Sequence, residues 1–283
     1  MAPTLSTTDH RSDIVGMRYI YPVLSRRAGG LSIGINFNTN NTCNWRCIYC
    51  QVPDLQRGVA PALDFGLLEE ELKAFFSRVL HGDFFESFNV IPEQRVIKDI
   101  AIAGNGEPTT LKELPEAIAL IGKIATAMGI LPNAAFILIT NGSLIHQPHV
   151  QQALTQLSHY NGQVWFKFDS ATEAGRKLIN NTGQSLSAAV ENLILATKLC
   201  PTLLQICLID YAGNGFSNTE HQAFVALLQA IKQRCDLQTI MVYSLARTSQ
   251  QPEAALIKPM PSSVLNAFAE DIRKLNFIVS VSQ

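Results

Sequence analysis

Leu31-Ser32-Ile33-Gly34-Ile35-Asn36-Phe37-Asn38 reads as a β-strand with two unlike faces. Side chains along a strand alternate with a period of two. Leu31, Ile33, Ile35 and Phe37 therefore share one face, and Ser32, Gly34, Asn36 and Asn38 share the other. The stretch 164–169 repeats the arrangement, with Val164, Phe166 and Phe168 opposite Trp165, Lys167 and Asp169. In 203–210, Gln205 and Cys207 fall on the less apolar side. A parallel strand covered on both sides would be apolar throughout. Polar residues along one face point instead to a lumen that is wet or filled by a ligand. They crowd toward the strand C-termini, the end at which barrel active sites form.

Outward from these strands the same alternation continues. Apolar segments at 31–37, 99–103, 136–140, 164–169, 203–210 and 239–244 alternate with helix-period segments at 67–80, 111–128, 148–158, 186–200 and 218–235. A last helix at 262–275 precedes a short strand at 277–281. This is the pattern of a parallel α/β sheet or barrel. Residues 81–98 fit neither period and read as a long loop or a small hairpin. No repeat or linker divides the chain, so it reads as one domain over 1–283 with an N-terminal extension over about 1–30.

Composition narrows the function. Of 283 residues 47% are hydrophobic, enough for a large core, and the net charge is −1. Dedicated nucleic-acid binders are usually strongly basic, so no global polyanion-binding signature is present. The charge is uneven, however: Arg18, Arg26, Arg27, Arg46 and Arg57 face a single acid, Asp54, between 14 and 57. The N-terminus lacks the apolar run of a signal peptide, and no stretch approaches about 18 uninterrupted apolar residues. The expectation is a soluble cytoplasmic protein without membrane partners. Disulfides are uncommon there, so six cysteines read as metal ligands, reactive thiols or core fillers.

Three of the six lie in Cys43-Asn44-Trp45-Arg46-Cys47-Ile48-Tyr49-Cys50, directly after the first polar-faced strand. Thiolates are the natural ligands of iron–sulfur clusters, and a cubane normally takes four. Three cysteines from one loop reach three corners and leave the fourth iron open to an exogenous ligand, as catalytic zinc sites keep a position open. Zinc with a distant fourth ligand is the competing metal, but no second cysteine pair completes the usual zinc spacing.

The C-x3-C-x2-C spacing with Tyr49 before the last cysteine resembles the radical S-adenosylmethionine (SAM) superfamily. Ala103-Gly104-Asn105-Gly106-Glu107-Pro108-Thr109 resembles that superfamily's glycine–glutamate motif. Leu24-Ser25-Arg26-Arg27, Cys50-Gln51, Thr140-Asn141-Gly142, Lys167-Phe168-Asp169-Ser170 and Ala246-Arg247 are similar to its wybutosine-synthesis-like branch, some of whose members modify tRNA. The fold this resemblance implies is a partial (β/α)6 TIM-type barrel with a 4Fe–4S cluster at its open top.

The resemblance also implies roles. Cys43, Cys47 and Cys50 would hold the cluster, whose unique iron would take the SAM amino and carboxylate groups. Gly104, Asn105, Gly106 and Glu107 would receive the methionyl ammonium, and Tyr49 would stand near the adenine. Glycines allow a close backbone approach, and a buried ammonium needs acceptors. Lys167 and Asp169 would meet the SAM carboxylate and ribose, against the alternative of a Lys–Asp ion pair. Asn141 is either a ligand contact or the turn former that its Asn-Gly dipeptide indicates. Asn36, Asn38, Gln205 and Arg247 are substrate candidates. Cys207, in the lumen, is a candidate hydrogen-atom donor and so a candidate catalytic residue. Cys200, Cys207 and Cys235 could together hold an auxiliary cluster, against the simpler reading of buried thiols. His146 and His149 read as a solvated helix start.

An electron donor such as flavodoxin or ferredoxin is the implied partner. The substrate classes are tRNA or another nucleic acid, from the branch resemblance and the arginines, and a protein or peptide, including a glycyl-radical enzyme. A non-enzymatic iron–sulfur or zinc protein is the third alternative.

Overall fold

The computed structural model describes residues 15–25 and 29–282. Eight strands form one sheet whose spatial order is their order in the chain. They are β1 (Ile20–Ser25), β2 (Gly30–Ile35), β3 (Ile97–Ile102), β4 (Ala135–Thr140), β5 (Gln163–Lys167), β6 (Thr202–Cys207), β7 (Thr239–Tyr243) and β8 (Ile278–Ser282). Only β1 runs antiparallel, against β2; every later pair is parallel. Its residues lie in the segment that the sequence assigns to an N-terminal extension. They belong instead to the sheet, pairing Ile20 with Ile35 through Ser25 with Gly30.

Helices return the chain between parallel strands, which a tight turn cannot join. They are α1 (Phe65–His81), α2 (Leu114–Ala127), α3 (Pro148–His159), α4 (Glu173–Asn180), α5 (Leu186–Leu199), α6 (Asn218–Lys232) and α7 (Ser262–Lys274). Local chemistry starts several of them. Asp64, Thr172, Ser185 and Ser217 each accept a backbone N–H from the first turn, and Pro115 and Pro148 occupy first-turn positions where no N–H is needed. Residues 81–98 hold a one-turn helix, Phe84–Ser87, and a 3-10 turn, Pro92–Gln94. The ends of the sheet, β1 and β8, are not paired to each other. Six βα units from β2 to α7 thus make an open (β/α)6 barrel, with β1 and β8 added at its edges.

The two faces of the strands match the alternation in the sequence. Ile33, Ile35, Ile100, Ile102, Phe136, Leu138, Val164, Phe166, Leu204, Ile206, Ile240 and Val242 are buried in the main core under the helices. Register places Ser32 opposite Asp99, Lys167 opposite Gln205, and Gln205 opposite Met241 on the other face. Phe168 continues the helix side, packed edge-on against Phe224 with centroids 6.4 Å apart. No helix among the described residues is long and apolar enough to cross a membrane.

Candidate active site

The loop after β2 carries the three cysteines and is tied down from several directions. Cys43 belongs to a short parallel pairing, Thr42 with Gln56 and Cys43 with Arg57. The Ile48 N–H donates to the Ile179 carbonyl at 2.9 Å, just after α4 has begun its last turn. The loop after β7 holds the other end: the Gln250 N–H donates to the Cys50 carbonyl at 2.8 Å, and Ser249 Oγ to the Ile48 carbonyl at 2.8 Å. Arg46 makes a two-pronged contact with Glu253, 2.7 Å at each oxygen. Such forked pairs add geometric definition as well as attraction. The cysteine loop is thereby fastened to the first, fourth and last barrel units.

Burial pushes the Cys43 thiol up to about 12, with Glu107 adding to the effect, and pushes Cys47 up to about 11. Ionising Cys43 and Cys47 so close together needs a cationic partner, and with Cys50 on the same loop this is the donor chemistry of an iron–sulfur site. All six cysteines are free thiols. Among the described residues, no three His, Cys, Asp or Glu side chains converge as the ligands of a single metal ion. The fit to a cluster rests on donor type: three thiols from one anchored loop.

The glycine turn after β3 lies against this loop. Asn36 Oδ1 accepts the N–H groups of Asn38 and Asn105, both at 3.0 Å, and Asn38 Nδ2 donates to the Thr42 carbonyl at 3.0 Å. Asn36 and Asn38, read as substrate candidates, thus brace the loops and are buried. Gly104 has φ +150°, and a β-carbon on it would stand 2.4 Å from Asn36 Oδ1. One on Gly106 would stand 1.9 Å from the Thr42 carbonyl oxygen. The close approach demanding glycine is therefore to the protein's own loop beside Cys43. Glu107 ties the turn to β4, accepting from Thr109 N (3.1 Å), Thr109 Oγ1 (2.6 Å), Thr140 Oγ1 (2.6 Å) and Asn141 N (2.7 Å). Burial lifts its carboxyl above the usual glutamate range, against the pull of those four bonds.

At the mouth of β5 the charges expected in the lumen are there. Lys167 Nζ lies 4.8 Å from the centre of the Tyr49 ring. No carboxylate lies within 4 Å of it among the described residues, so the Lys–Asp ion pair does not form. Burial would lower this ammonium, but Tyr243, Asp169, Cys47 and Cys207 around it raise it above the ordinary lysine value. Asp169 accepts from Tyr49 Oη (2.5 Å), Asn180 Nδ2 (2.7 Å) and the Cys207 N–H (3.3 Å). Asn180 Nδ2 also reaches Cys47 Sγ at 3.3 Å. Sequence reasoning missed α4, which supplies Asn180, because Gly175 interrupts an eight-residue helix. The legible signal was Thr172, whose hydroxyl accepts the Gly175 N–H three residues on.

The remaining candidates fall into place around this centre. Asn141 Oδ1 accepts from Ser143 N (3.0 Å) and Ser143 Oγ (2.7 Å), and its Nδ2 donates to Asn44 in the cysteine loop (2.9 Å), so its amide shapes a turn and braces that loop. Gln205 is buried on the lumen face with Nε2 3.5 Å from Met241 Sδ. The Arg247 carbonyl accepts from Gln51 Nε2 at 3.2 Å, and its positive charge is felt at the Tyr21 phenol. His149 lies 3.4 Å from the Thr109 carbonyl.

Cys207 packs in a small apolar group with Ile48, Tyr49, Ile209 and Ile257, and burial raises its thiol far above the ordinary value. Cys200 sits in the main core at the opposite end of β6, its thiol 3.4 Å from the Gly162 carbonyl. Seven residues of extended chain span about 20 Å, too far for those two to share one cluster. Cys235 contacts the Ile231 carbonyl at 3.7 Å. The auxiliary cluster weighed for these three cysteines is therefore not supported.

An open barrel with a three-cysteine loop and a charged lumen at its C-terminal mouth defines a class, that of enzymes working at the top of a (β/α)6 barrel. The family model described as "Radical SAM superfamily" matches residues 37–227. The chain belongs to the radical SAM superfamily. It is 27% identical over 240 residues to a Helicobacter pylori protein named UPF0026 protein, covering 84% of this chain and 70% of that one. It is 28% identical over 152 residues to a Brachyspira hyodysenteriae protein named GTPase Obg, covering 53% of this chain and 19% of that one. The chain thus spans about a fifth of the latter's length. Among solved structures it resembles TYW1 with a lysine-pyruvate adduct bound, with a TM-score of 0.57 at 15% identity, covering 90% of this chain and 84% of that one. That likeness is one of fold.

Proposed function

We propose that Cys43, Cys47 and Cys50 hold a 4Fe–4S cluster and that SAM binds beside it at the mouth of β3 to β5. The observation that carries this reading is the anchored three-thiol loop facing Lys167, an ammonium in the lumen with no carboxylate within 4 Å among the described residues. When bound, cluster and SAM supply a one-electron cleavage of the sulfonium, giving methionine and a 5′-deoxyadenosyl radical that takes a hydrogen atom from the substrate. The chain's residues do the rest. Lys167 is charged and placed to bind a carboxylate. Asp169, held by Tyr49 and Asn180 on one oxygen, keeps lone pairs for a ribose hydroxyl. Glu107 and the Gly104–Gly106 turn fix the loop that would receive an ammonium.

The substrate of this reading is tRNA or another nucleic acid, in the cytoplasm, with a flavodoxin or ferredoxin as electron donor. The similarity of the chain's motifs to the wybutosine-synthesis-like branch supports it, as does the exposed Arg57 beside the cysteine loop. The test is anaerobic reconstitution with iron and sulfide. About four irons per chain and 5′-deoxyadenosine release that rises with added tRNA are expected. Cys43→Ala, Cys47→Ala and Cys50→Ala combined should remove the iron, and a triple variant still holding four irons would overturn the assignment. tRNA binding should weaken steeply with salt; no binding at low salt would reject the nucleic-acid substrate.

A further inference from the structure

Helix α4 brings two side chains to the Cys47 corner that the fold does not require. Arg176 and Asn180, four residues apart, share one helix face, and each is only 1% exposed. Asn180 Nδ2 donates to Cys47 Sγ at 3.3 Å and to Asp169 Oδ2 at 2.7 Å. The Arg176 guanidinium carbon lies 5.5 Å from the Trp45 ring centre and 5.3 Å from that of Phe168. One of its nitrogens donates to Gln184 Oε1 at 3.0 Å. No carboxylate stands within 4 Å of this arginine among the described residues. Its charge acts instead on Asp169, Glu173 and Cys47.

Burying a cation without a counter-charge is costly, and so is leaving a buried polar atom without a partner. Three buried side-chain polar atoms among the described residues lack a hydrogen-bond partner, and two of them are Arg176 Nε and Asn180 Oδ1. A packing role would be filled more stably by apolar residues of the same size. The Arg176 cation, with its unpaired Nε–H, lies within electrostatic reach of the Cys47 sulfur, where a negative group would offset its cost; the Asn180 carbonyl oxygen, an acceptor, would gain nothing from one.

We propose that Asn180, reinforced by the fixed charge of Arg176, raises the reduction potential of the cluster held at Cys47. Both are positioning residues that act through the sulfur and touch no substrate. The proposal rests on the cluster assignment above. The physics is direct: an added electron increases the negative charge on the cluster and its sulfur ligands. An N–H donor or a nearby cation stabilises that reduced form more than the oxidised one. Asp169 holds the amide's nitrogen, and Asp169 is itself held by Tyr49 and the Cys207 N–H. The donor is therefore aimed at Cys47 before any cluster is reduced.

The test is an EPR-monitored redox titration of the reconstituted full chain, without SAM. Wild type must first show about four irons and a reducible paramagnetic signal; their absence would be a failure of the cluster assignment, separate from this proposal. Asn180→Leu removes the donor at nearly constant size. The expected result is a roughly fivefold lower ratio of reduced to oxidised cluster at a fixed potential. At 59 mV per tenfold for a one-electron couple this is a midpoint more negative by about 40 mV. Arg176→Gln should shift it in the same direction. If Asn180→Leu loses its iron, Asn180→Asp is titrated instead and should shift further, because a carboxylate replaces the donor. A midpoint equal to wild type in whichever Asn180 variant keeps its iron overturns the proposal. Iron lost by both Asn180 variants also overturns it, by showing a role in cluster assembly.

Discussion

Gly106→Ala separates a glycine needed by the protein from one needed only by a ligand. The added β-carbon would stand 1.9 Å from the Thr42 carbonyl oxygen and 2.7 Å from Asn38 Cγ. Ordinary contacts of this kind exceed about 3 Å, so one of two backbone segments must move by about 1 Å. Overpacking of this kind costs about 1–3 kcal/mol. For a domain of this size each kcal/mol lowers the melting temperature by about 2–4 °C, and a central value of about 2 kcal/mol gives a loss of about 4–8 °C. The assay is thermal unfolding of the cluster-free chain followed by circular dichroism. Gly183→Ala is the matched control: a β-carbon there meets nothing within 4 Å, and the change should be neutral or slightly stabilising. Because Thr42 adjoins Cys43, Gly106→Ala should also take up less iron on reconstitution. Melting of Gly106→Ala within about 1 °C of Gly183→Ala would refute the steric argument and return the glycine to a role in ligand approach.

Lys167→Met nearly keeps side-chain length and removes the charge, so it should fold and load iron normally but bind SAM at least tenfold more weakly by equilibrium dialysis; unchanged affinity would remove Lys167 from the SAM site. Asp99 is buried on the lumen face with the Ser32 hydroxyl as its donor, and burial holds its carboxyl above the usual aspartate range. A raised folded value means that its contribution is full below the unfolded value of about 3.9 and is lost as pH rises through the folded one. Asp99→Asn should therefore melt higher than wild type at pH 8 and lose that advantage toward pH 4; a constant difference across that range would contradict the burial argument. Arg46→Ala and Glu253→Ala in a double-mutant cycle should show about 1 kcal/mol of coupling, the upper end for a forked and partly exposed pair. Coupling below about 0.2 kcal/mol would mean that the pair does not fasten the cysteine loop.

The sequence alone determined what depends on local periodicity and short spacing. Alternation in 31–38 and 164–169 separated core from lumen, because a strand's side chains point to opposite faces whatever surrounds it. The three cysteines, the glycine–glutamate turn and the helix-period segments were legible for the same reason. Their boundaries shifted by at most three residues, where end turns depend on caps. Tertiary structure decided everything that joins distant segments. It drew residues 20–25 into the sheet as an antiparallel edge, where pairing with β2 satisfies their backbone groups. It set Cys200 just before the strand that ends at Cys207, and turned Asn36 into a brace for the Gly104–Gly106 turn and Asn38 into one for the cysteine loop. It also carried Glu253 to Arg46, 207 residues away in the chain, and Asn180 to Cys47, 133 residues away. Such contacts have no signature in local sequence, because they arise only when the closing barrel brings separate strand ends to one mouth.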